Sequence, residues 1–148
     1  MEYRKPDSPG AHIVLDLARP RGYELVDFSA EQVKQRLHVH CVLYHPDGVV
    51  LDSLGELHRA LEPRLEELFG SRDLYVEFSS PGITRKFKSF HEFEVFTGKR
   101  VSILPVHDTN WITGTIQDAD PQECRILDSS GETHTWHRDT VSRARLVD

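Results

Sequence analysis

Hydrophobic side chains in the first half of the chain recur with two different periods. Leu74, Val76 and Phe78 alternate with more polar neighbours, which predicts a half-buried strand over residues 74–79. Upstream of this strand, leucines recur at spacings of three and four, which predicts a helix with one apolar stripe, formed by Leu51, Leu54, Leu57, Leu61, Leu65 and Leu68. Such a stripe indicates a packed core and not a cofactor site.

The limits of this helix are predicted by residues that start, end or interrupt helices. Ser53 and Glu56 have the spacing of a capping box, and Gly70 is a residue type that ends helices. Pro63 lies between them, and its ring would collide with the carbonyl group of Arg59. We therefore expect the helix to kink at Pro63 or to divide there.

Three shorter elements precede the leucine stripe. Residues 12–19 have apolar side chains at helical spacing and end before Pro20. Residues 23–28 and 37–44 alternate as strands do, whereas the intervening Ser29–Arg36 segment contains no Gly or Pro and also permits a helical turn. The order α-β-β-α-β predicts a layered domain with helices on one face of a three-stranded sheet.

After Gly98 the pattern changes to short strands separated by turns. The predicted strands cover residues 101–106, 112–116, 124–127, 133–137 and 142–147. Five short strands in this length favour a small closed β-barrel of the Sm-like or SH3-like type. The fold class is α+β, with a disordered tail at residues 1–10, an N-terminal domain at 11–82, a linker with a short helix at 83–98 and a barrel at 99–148. Ser89 and Glu92 predict the start of the linker helix.

Composition narrows the function classes. The 148 residues include 18 Lys and Arg against 24 Asp and Glu, a net charge of −6, which argues against a protein that coats RNA along its whole surface. No apolar run reaches the ~20 residues that span a bilayer, and residues 1–10 lack a signal-peptide pattern, so we expect a cytoplasmic protein without membrane contact. Cys41 and Cys124 are expected to be buried thiols in a reducing compartment.

The segment Phe78–Lys88, FSSPGITRKFK, concentrates positive charge in this acidic chain. Ser80, Pro81 and Gly82 form a turn, since Pro81 fixes its φ angle and Gly82 accepts a positive φ. The bases that follow are Arg85, Lys86, Lys88, Lys99 and Arg100. Phe87 and Phe90 lie among them, so the segment offers stacking contacts beside charges that neutralise phosphate. The alternative is an ordinary solvated surface. Trp111 and Trp136 are predicted to lie in the core or rim of the barrel.

With its surroundings, this segment resembles the ribosome maturation factor RimP family. The family has a strand, a Ser-Ser-Pro-Gly turn and a basic tail at the position of Phe78–Lys88. Gly22–Val26 resembles its first strand, His45–Asp52 its loop into the long helix and His91–Gly98 its linking helix. The resemblance extends from Gly22 to Asp148. Two departures are Thr84 to Lys88, where the family has Asp-Arg-Pro-Leu-Lys, and a shortened N-terminal helix.

The resemblance implies both a fold and a function. It implies a hairpin over Ser29–Arg36, an Sm-like barrel and a bacterial, non-enzymatic factor that binds the immature small (30S) ribosomal subunit transiently, through rRNA and a ribosomal protein. The expected RNA- and ribosome-binding residues are Ser80, Pro81, Gly82, Arg85, Lys86, Lys88, Lys99 and Arg100. We expect the protein to be a monomer. The alternative function is a peptide-binding adaptor with an SH3-like barrel and no RNA contact.

Residue patterns give little support to catalysis or to a metal cofactor. His38, His40 and His45 lie near one another in sequence, but no Asp, Glu or Cys has the spacing that would complete a zinc site. His134 and His137 are three apart on a predicted strand and therefore point to opposite faces. Ser79 and Ser80 lack a nucleophile-elbow motif. We expect no cofactor, no metal and no enzyme activity.

Overall fold

The computed structural model describes residues 1–70 and 73–148, which form two compact units. The N-terminal unit is Pro6–Pro81, and the C-terminal unit combines Met1–Lys5 with Gly82–Asp148. The expected tail at residues 1–10 is thus divided between the two units, and Pro9 begins a helix. Met1–Lys5 pairs with the C-terminal unit: the Met1 amino group donates to the Val141 carbonyl at 2.7 Å, and the Phe90 amide donates to the Glu2 carbonyl at 2.8 Å.

The N-terminal unit contains two helices and one sheet. Its elements are α1 (Pro9–Ala18), β1 (Glu24–Val33), β2 (Arg36–Tyr44), α2 (Leu51–Phe69) and β3 (Leu74–Ser79). The strand order is β1-β2-β3, with β1 antiparallel and β3 parallel to β2. A two-residue turn joins β1 to β2, so Ser29–Arg36 is part of a hairpin, as the family resemblance implied, and not a helical turn.

One hydrophobic core joins these elements. The side chains of Val39, Cys41 and Leu43 alternate along β2 into this core, as a strand with one buried face requires. Leu57, Leu61 and Leu65 reach the same core from α2 at helical spacing. Burying each leucine contributes about 1.5–3 kcal/mol, more than helix propensity supplies.

The start of α2 and the possible division at Pro63 differ from the expectations. The helix begins at Leu51 after Val50 and not at a Ser53 cap, and it continues through Pro63 without dividing. A proline removes one backbone hydrogen bond, but Leu61 and Leu65 are fully buried on either side of Pro63 and hold the two halves in one element. The end is as predicted, because Gly70 has a left-handed conformation with φ of +62°.

The C-terminal unit contains a short helix and a five-stranded sheet. Its elements are α3 (Glu92–Val95), β4 (Arg100–Pro105), β5 (Ile112–Ala119), β6 (Glu123–Leu127), β7 (Thr133–His137) and β8 (Val141–Leu146). The strand order is β7-β6-β5-β4-β8, and consecutive pairs are antiparallel. In the described residues no ladder joins β7 to β8, so the expected closed barrel is an open sheet.

This open sheet is nevertheless curved. Its two edge strands, β7 and β8, are joined by the single 3₁₀ turn Arg138–Thr140. Five strands laid flat would place the edges ~19 Å apart, whereas a 3₁₀ turn advances only ~2 Å per residue. The short connection therefore requires the sheet to bend its edges towards each other.

Residues 83–98 belong to the C-terminal unit and are not a separate linker. The predicted Ser89 cap is only partly formed: the Ser89 amide donates to Glu92 Oε2 at 3.2 Å, but α3 begins at Glu92 after His91, and the Glu92 amide donates to the Ser89 carbonyl at 3.1 Å and not to its hydroxyl. Four phenylalanines pack together in the core of this segment: Phe87, Phe90, Phe93 and Phe96. None of the helices described here has the length and apolarity to cross a membrane.

Candidate nucleic-acid interface

The segment after Pro81 and Gly82 extends the edge of the C-terminal sheet. The Phe87 amide donates to the Ala144 carbonyl at 2.9 Å, and the Leu146 amide donates to the Arg85 carbonyl at 2.9 Å. These two bonds hold Lys86 directly opposite Arg145 of β8 in an antiparallel bridge. Residues 85–87 therefore behave as a short additional strand beside β8.

Strand register then aligns side chains across the outer face of this sheet. Arg145 is opposite Lys86 on one side and Ser102 on the other, and Ser102 is opposite Thr113. Val101 and Ile103 are fully buried on one face of β4, and Ser102 on the other face is 3 % exposed. The exposed members of the row through Ser102 are Lys86, Arg145 and Thr113, which identifies the outer face.

We call the cationic part of this surface the basic face and define it by Lys86, Arg100, Arg143 and Arg145 with Trp111. Arg100 is two residues from Ser102 on β4, and Arg143 is two residues from Arg145 on β8, so strand alternation places them on the same side. All four bases are exposed.

The basic face contains like charges without carboxylate partners. Lys86 and Arg145 are directly opposite, an arrangement that destabilises an antiparallel pair. Among the described residues none of the ion pairs involves Lys86, Arg143 or Arg145, whereas Arg100 donates to the main-chain oxygen of Asp148, the last residue, at 3.5 Å. Like charges opposite each other repel, and solvent screens part of this repulsion. An anion bound at this face would remove that repulsion.

Trp111 lies on the same face and contacts Arg145. The guanidinium carbon of Arg145 is 4.7 Å from the centroid of the Trp111 ring, which is a cation–π contact. Trp111 is 39 % exposed and directly precedes β5, which excludes a core position and is compatible with the rim. Trp136 of β7 is half-buried.

A buried ion pair between Arg85 and Glu92 fixes the position of the basic segment, residues 85–88. The Arg85 guanidinium donates to Glu92 Oε1 at 2.6 Å, and the backbone amide of Lys88 donates to Glu92 Oε2 at 2.7 Å. The Glu92 side chain is 1 % exposed and that of Arg85 is 10 % exposed. The Glu92 carboxylate therefore fixes both the side chain of Arg85 and the backbone of the following turn.

The structure separates the remaining predicted site residues into different settings. Lys88 and Lys99 are exposed, and Gly82 has the predicted positive φ of +82°. Ser80 lines a cavity of the N-terminal unit, of about 230 Å³, together with Phe78. Phe87 and Phe90 are buried, so the expectation that they stack on a ligand is wrong. They pack against Phe93 because their side chains face the apolar interior.

The sequence patterns did not identify Arg143, Arg145 and Trp111 as members of this surface. The strand predicted at residues 142–147 carries Arg143 and Arg145 at alternate positions, which is a signal for two bases on one face. The pairing of β8 with residues 85–87 involves segments far apart in the chain, and local patterns do not report such pairing. The charge pattern along the sequence therefore identified two of the four bases of the basic face, Lys86 and Arg100.

Three groups that could ligate a metal meet in the β6–β7 turn. Ligand atoms of Asp128, Glu132 and His134 lie within 4.8 Å of one another. Hydrogen bonds from Ser130 and His134, in that order of effect, hold the pKa of the Asp128 carboxyl well below its usual range. The Glu132 amide also donates to Asp128 at 3.0 Å, so this carboxylate organises the turn.

His40, one of the three N-terminal histidines considered from the sequence as metal ligands, contacts Ser79 Oγ at 2.7 Å.

Formal charge divides unevenly between the two units. Pro6–Pro81 contains 7 Lys and Arg against 13 Asp and Glu, a net charge of −6. The C-terminal unit contains 11 of each and is neutral, although it carries the basic face. Fold and site together define a two-unit α+β protein with an acidic N-terminal unit and a cationic sheet surface on the C-terminal one.

Comparison with known proteins agrees with this division. A model of the RimP N-terminal domain matches residues 13–84. The ribosome maturation factor RimP of Borreliella burgdorferi is 28 % identical over 137 residues, covering 92 % of each chain. The RimP proteins of Borrelia recurrentis and Borrelia hermsii are 28 % identical over 96 residues and 32 % identical over 87 residues, covering 65 % and 59 % of this chain and 66 % and 60 % of their own. Residues 13–84 thus match the RimP N-terminal domain, and similarity to RimP proteins extends over most of the chain.

Proposed function

We propose that this chain is a non-enzymatic assembly factor that binds the immature small ribosomal subunit transiently. Its relatives are named ribosome maturation factors, and that role is carried over to this chain. The observation that best supports binding to rRNA is the basic face, where Lys86 and Arg145 are opposite each other without a carboxylate partner among the described residues. RNA phosphate supplies the missing negative charge.

The two units suit two kinds of partner on a ribosomal particle. The basic face of the C-terminal unit contacts rRNA phosphate, and the N-terminal unit, with its net charge of −6, attracts a basic ribosomal protein. Binding of this electrostatic kind forms rapidly and weakens with salt, which fits a factor that binds and leaves. We propose that it acts as a monomer in the cytoplasm, where its buried free thiols Cys41 and Cys124 stay reduced.

Residues expected from the sequence have different roles in this proposal. Lys86, Lys88, Lys99 and Arg100 contact phosphate through their exposed side chains. Ser80, Pro81 and Gly82 precede the turn from which the basic segment starts. Arg85 is a positioning residue, because its guanidinium is bonded to the buried Glu92 carboxylate and holds the segment that carries Lys86.

The test is co-sedimentation with immature small subunits over a series of salt concentrations. The variant carries Lys86→Glu, Arg100→Glu and Arg143→Glu, and leaves Arg85 and Arg145 unchanged. We expect weaker binding, and a slope of log affinity against log salt that is smaller by about two if three phosphate contacts are lost.

A matched control reverses three exposed bases of the N-terminal unit: Lys34→Glu, Arg59→Glu and Arg64→Glu. This control makes the same change in net charge and is expected to retain the salt slope. If the basic-face variant keeps the affinity and the slope of the unmodified protein, the proposed rRNA contact is wrong.

The second candidate, a peptide-binding adaptor, is favoured by one cavity. This apolar cavity of about 450 Å³ is lined by Pro9, Phe28, Ala30 and Phe69 beside β1, an edge strand. An extended peptide pairs with such an edge and places side chains in a neighbouring pocket. The cavity is in the N-terminal unit and not in the sheet where the sequence predicted an SH3-like site. Partner binding that survives moderate salt would favour this candidate.

A further inference from the structure

The contact between Arg145 and Trp111 assembles a flat surface from a planar cation and an aromatic ring. The guanidinium carbon is 4.7 Å from the ring centroid, and both side chains are exposed. A guanidinium held by an indole ring keeps its orientation without a carboxylate partner. The face of the guanidinium that points away from the ring, and the guanidinium N–H groups, remain available for a ligand.

Neighbouring groups surround this pair with the functional groups that nucleotides bind. Lys86 is opposite Arg145 in the antiparallel bridge. Arg143 is two residues along the same strand. Cations flanking an aromatic group on a sheet face match a nucleic-acid strand, in which phosphates alternate with bases that have exposed π surfaces.

An unpaired strand fits this surface better than a duplex. In an RNA duplex the base planes are stacked on one another and are covered, so a side-chain platform does not reach them. In a single strand each base can turn outward and stack on a ring or a guanidinium plane. A ligand that offers only phosphate uses the charges of this surface and makes no use of its aromatic ring, whereas a single strand uses both.

We propose that the basic face binds single-stranded RNA, with one base stacked on the Arg145–Trp111 pair and the flanking phosphates on Lys86 and Arg143. This inference rests on the proposed function and adds the form of RNA that is recognised. The contact is tolerant of sequence, because every base has a π surface and the basic face has no set of groups aimed at one base edge.

The test measures binding of labelled octauridylate, and of an RNA duplex of the same length, to the full chain. Trp111→Ala is expected to weaken octauridylate binding roughly tenfold and to leave the salt slope unchanged, because stacking is lost and no phosphate contact is. Lys86→Gln is expected to reduce the slope by about one. Arg145→Lys, which keeps the charge but not the plane, is expected to weaken binding as Trp111→Ala does, and Trp111→Phe to restore part of it.

A spectroscopic measurement reports stacking directly. In a Trp136→Phe background Trp111 is the one remaining tryptophan, since the chain contains two. Octauridylate is expected to quench its fluorescence, and the duplex to leave it unchanged. Arg64→Gln, an exposed base of the N-terminal unit, controls for net charge and is expected to bind as the unmodified protein does.

Failure of this inference is distinguishable from failure of the proposed function. If the unmodified chain sediments with immature subunits, but Trp111→Ala binds octauridylate equally well or Trp111 is not quenched, the stacking site is wrong and the assembly role stands. Equal or tighter binding of the duplex, or no binding of octauridylate at low salt, also overturns the inference. If sedimentation with the subunits is itself absent, the proposed function fails.

Discussion

Replacing Glu92 is expected to destabilise the C-terminal unit more than any surface change near it. Its carboxylate accepts from the Arg85 guanidinium at 2.6 Å and from the amides of Lys88 and Ser89 at 2.7 and 3.2 Å. Glu92→Gln leaves one carbonyl oxygen for donors that now use two oxygens, and it removes the charge that balances Arg85. Removing one partner of a buried ion pair costs about 3–5 kcal/mol of the free energy of unfolding.

The measurement is urea unfolding followed by tryptophan fluorescence. Both tryptophans, Trp111 and Trp136, belong to the C-terminal unit, so this signal reports the unit that contains Glu92. Arg85→Met is expected to cost a comparable amount. The double variant is expected to cost less than the sum of the two single changes by about 0.5–3 kcal/mol, because it removes both charges together.

Glu94→Gln is the matched control, because Glu94 lies on the same helix and is exposed. It is expected to change the free energy of unfolding by about 0.5 kcal/mol or less. The structural role of the buried pair is refuted if Glu92→Gln costs no more than this control. It is also refuted if the costs of Glu92→Gln and Arg85→Met simply add in the double variant, because the buried pair then does not hold the basic segment in place.

Three further predictions concern packing and buried thiols. Gly114→Ala is expected to destabilise by about 1–3 kcal/mol in the same fluorescence assay, because its Cβ would lie 2.5 Å from Ile126 Cγ2 and 2.7 Å from a backbone carbonyl oxygen. Gly55→Ala is expected to stabilise α2 by about 0.5–1 kcal/mol in urea unfolding followed by circular dichroism, since its Cβ meets no atom closer than 3.5 Å, and a loss of stability would contradict the helix geometry there. Burial raises the pKa of the Cys41 and Cys124 thiols from 9.0 to about 12. Between these values the unfolded state loses thiol protons that the native state keeps, so stability is expected to fall as pH rises through this window, and Cys→Ser variants are expected to lose that dependence. Alkylation of either thiol at pH 9 without unfolding would contradict their burial.

Local patterns in the sequence predicted the elements closely where short-range physics decides them. The strand predicted at residues 74–79 is β3, and that at 133–137 is β7. The positive φ angles of Gly70 and Gly82 were also predicted, because a residue without a side chain is needed wherever the chain takes a left-handed turn. Burial of Cys41 was predicted from alternation along β2, and the structure confirms it.

Features that depend on distant parts of the chain were predicted less well. Pro63 interrupts the local hydrogen bonds of α2, but leucines on both sides pack into one core and keep the helix continuous. Met1–Lys5 is polar and has no local reason to be ordered, yet its backbone bonds to the C-terminal unit. The open sheet likewise follows from the pairing of whole strands, and the number and length of the strands do not determine it.

The candidate site divides in the same way. The amino-acid sequence was sufficient to reveal the positive φ of Gly82, the bases after it and the likeness to the RimP family, because these are properties of neighbouring residues. The turn itself lies at Ile83 and Thr84, two residues beyond its predicted position at Pro81 and Gly82. Only tertiary structure placed Lys86 opposite Arg145 and brought Trp111 against that arginine. It also assigned Arg85 to the buried carboxylate of Glu92. Strand register across the sheet, which joins residues far apart in the chain, decides which charges face solvent together.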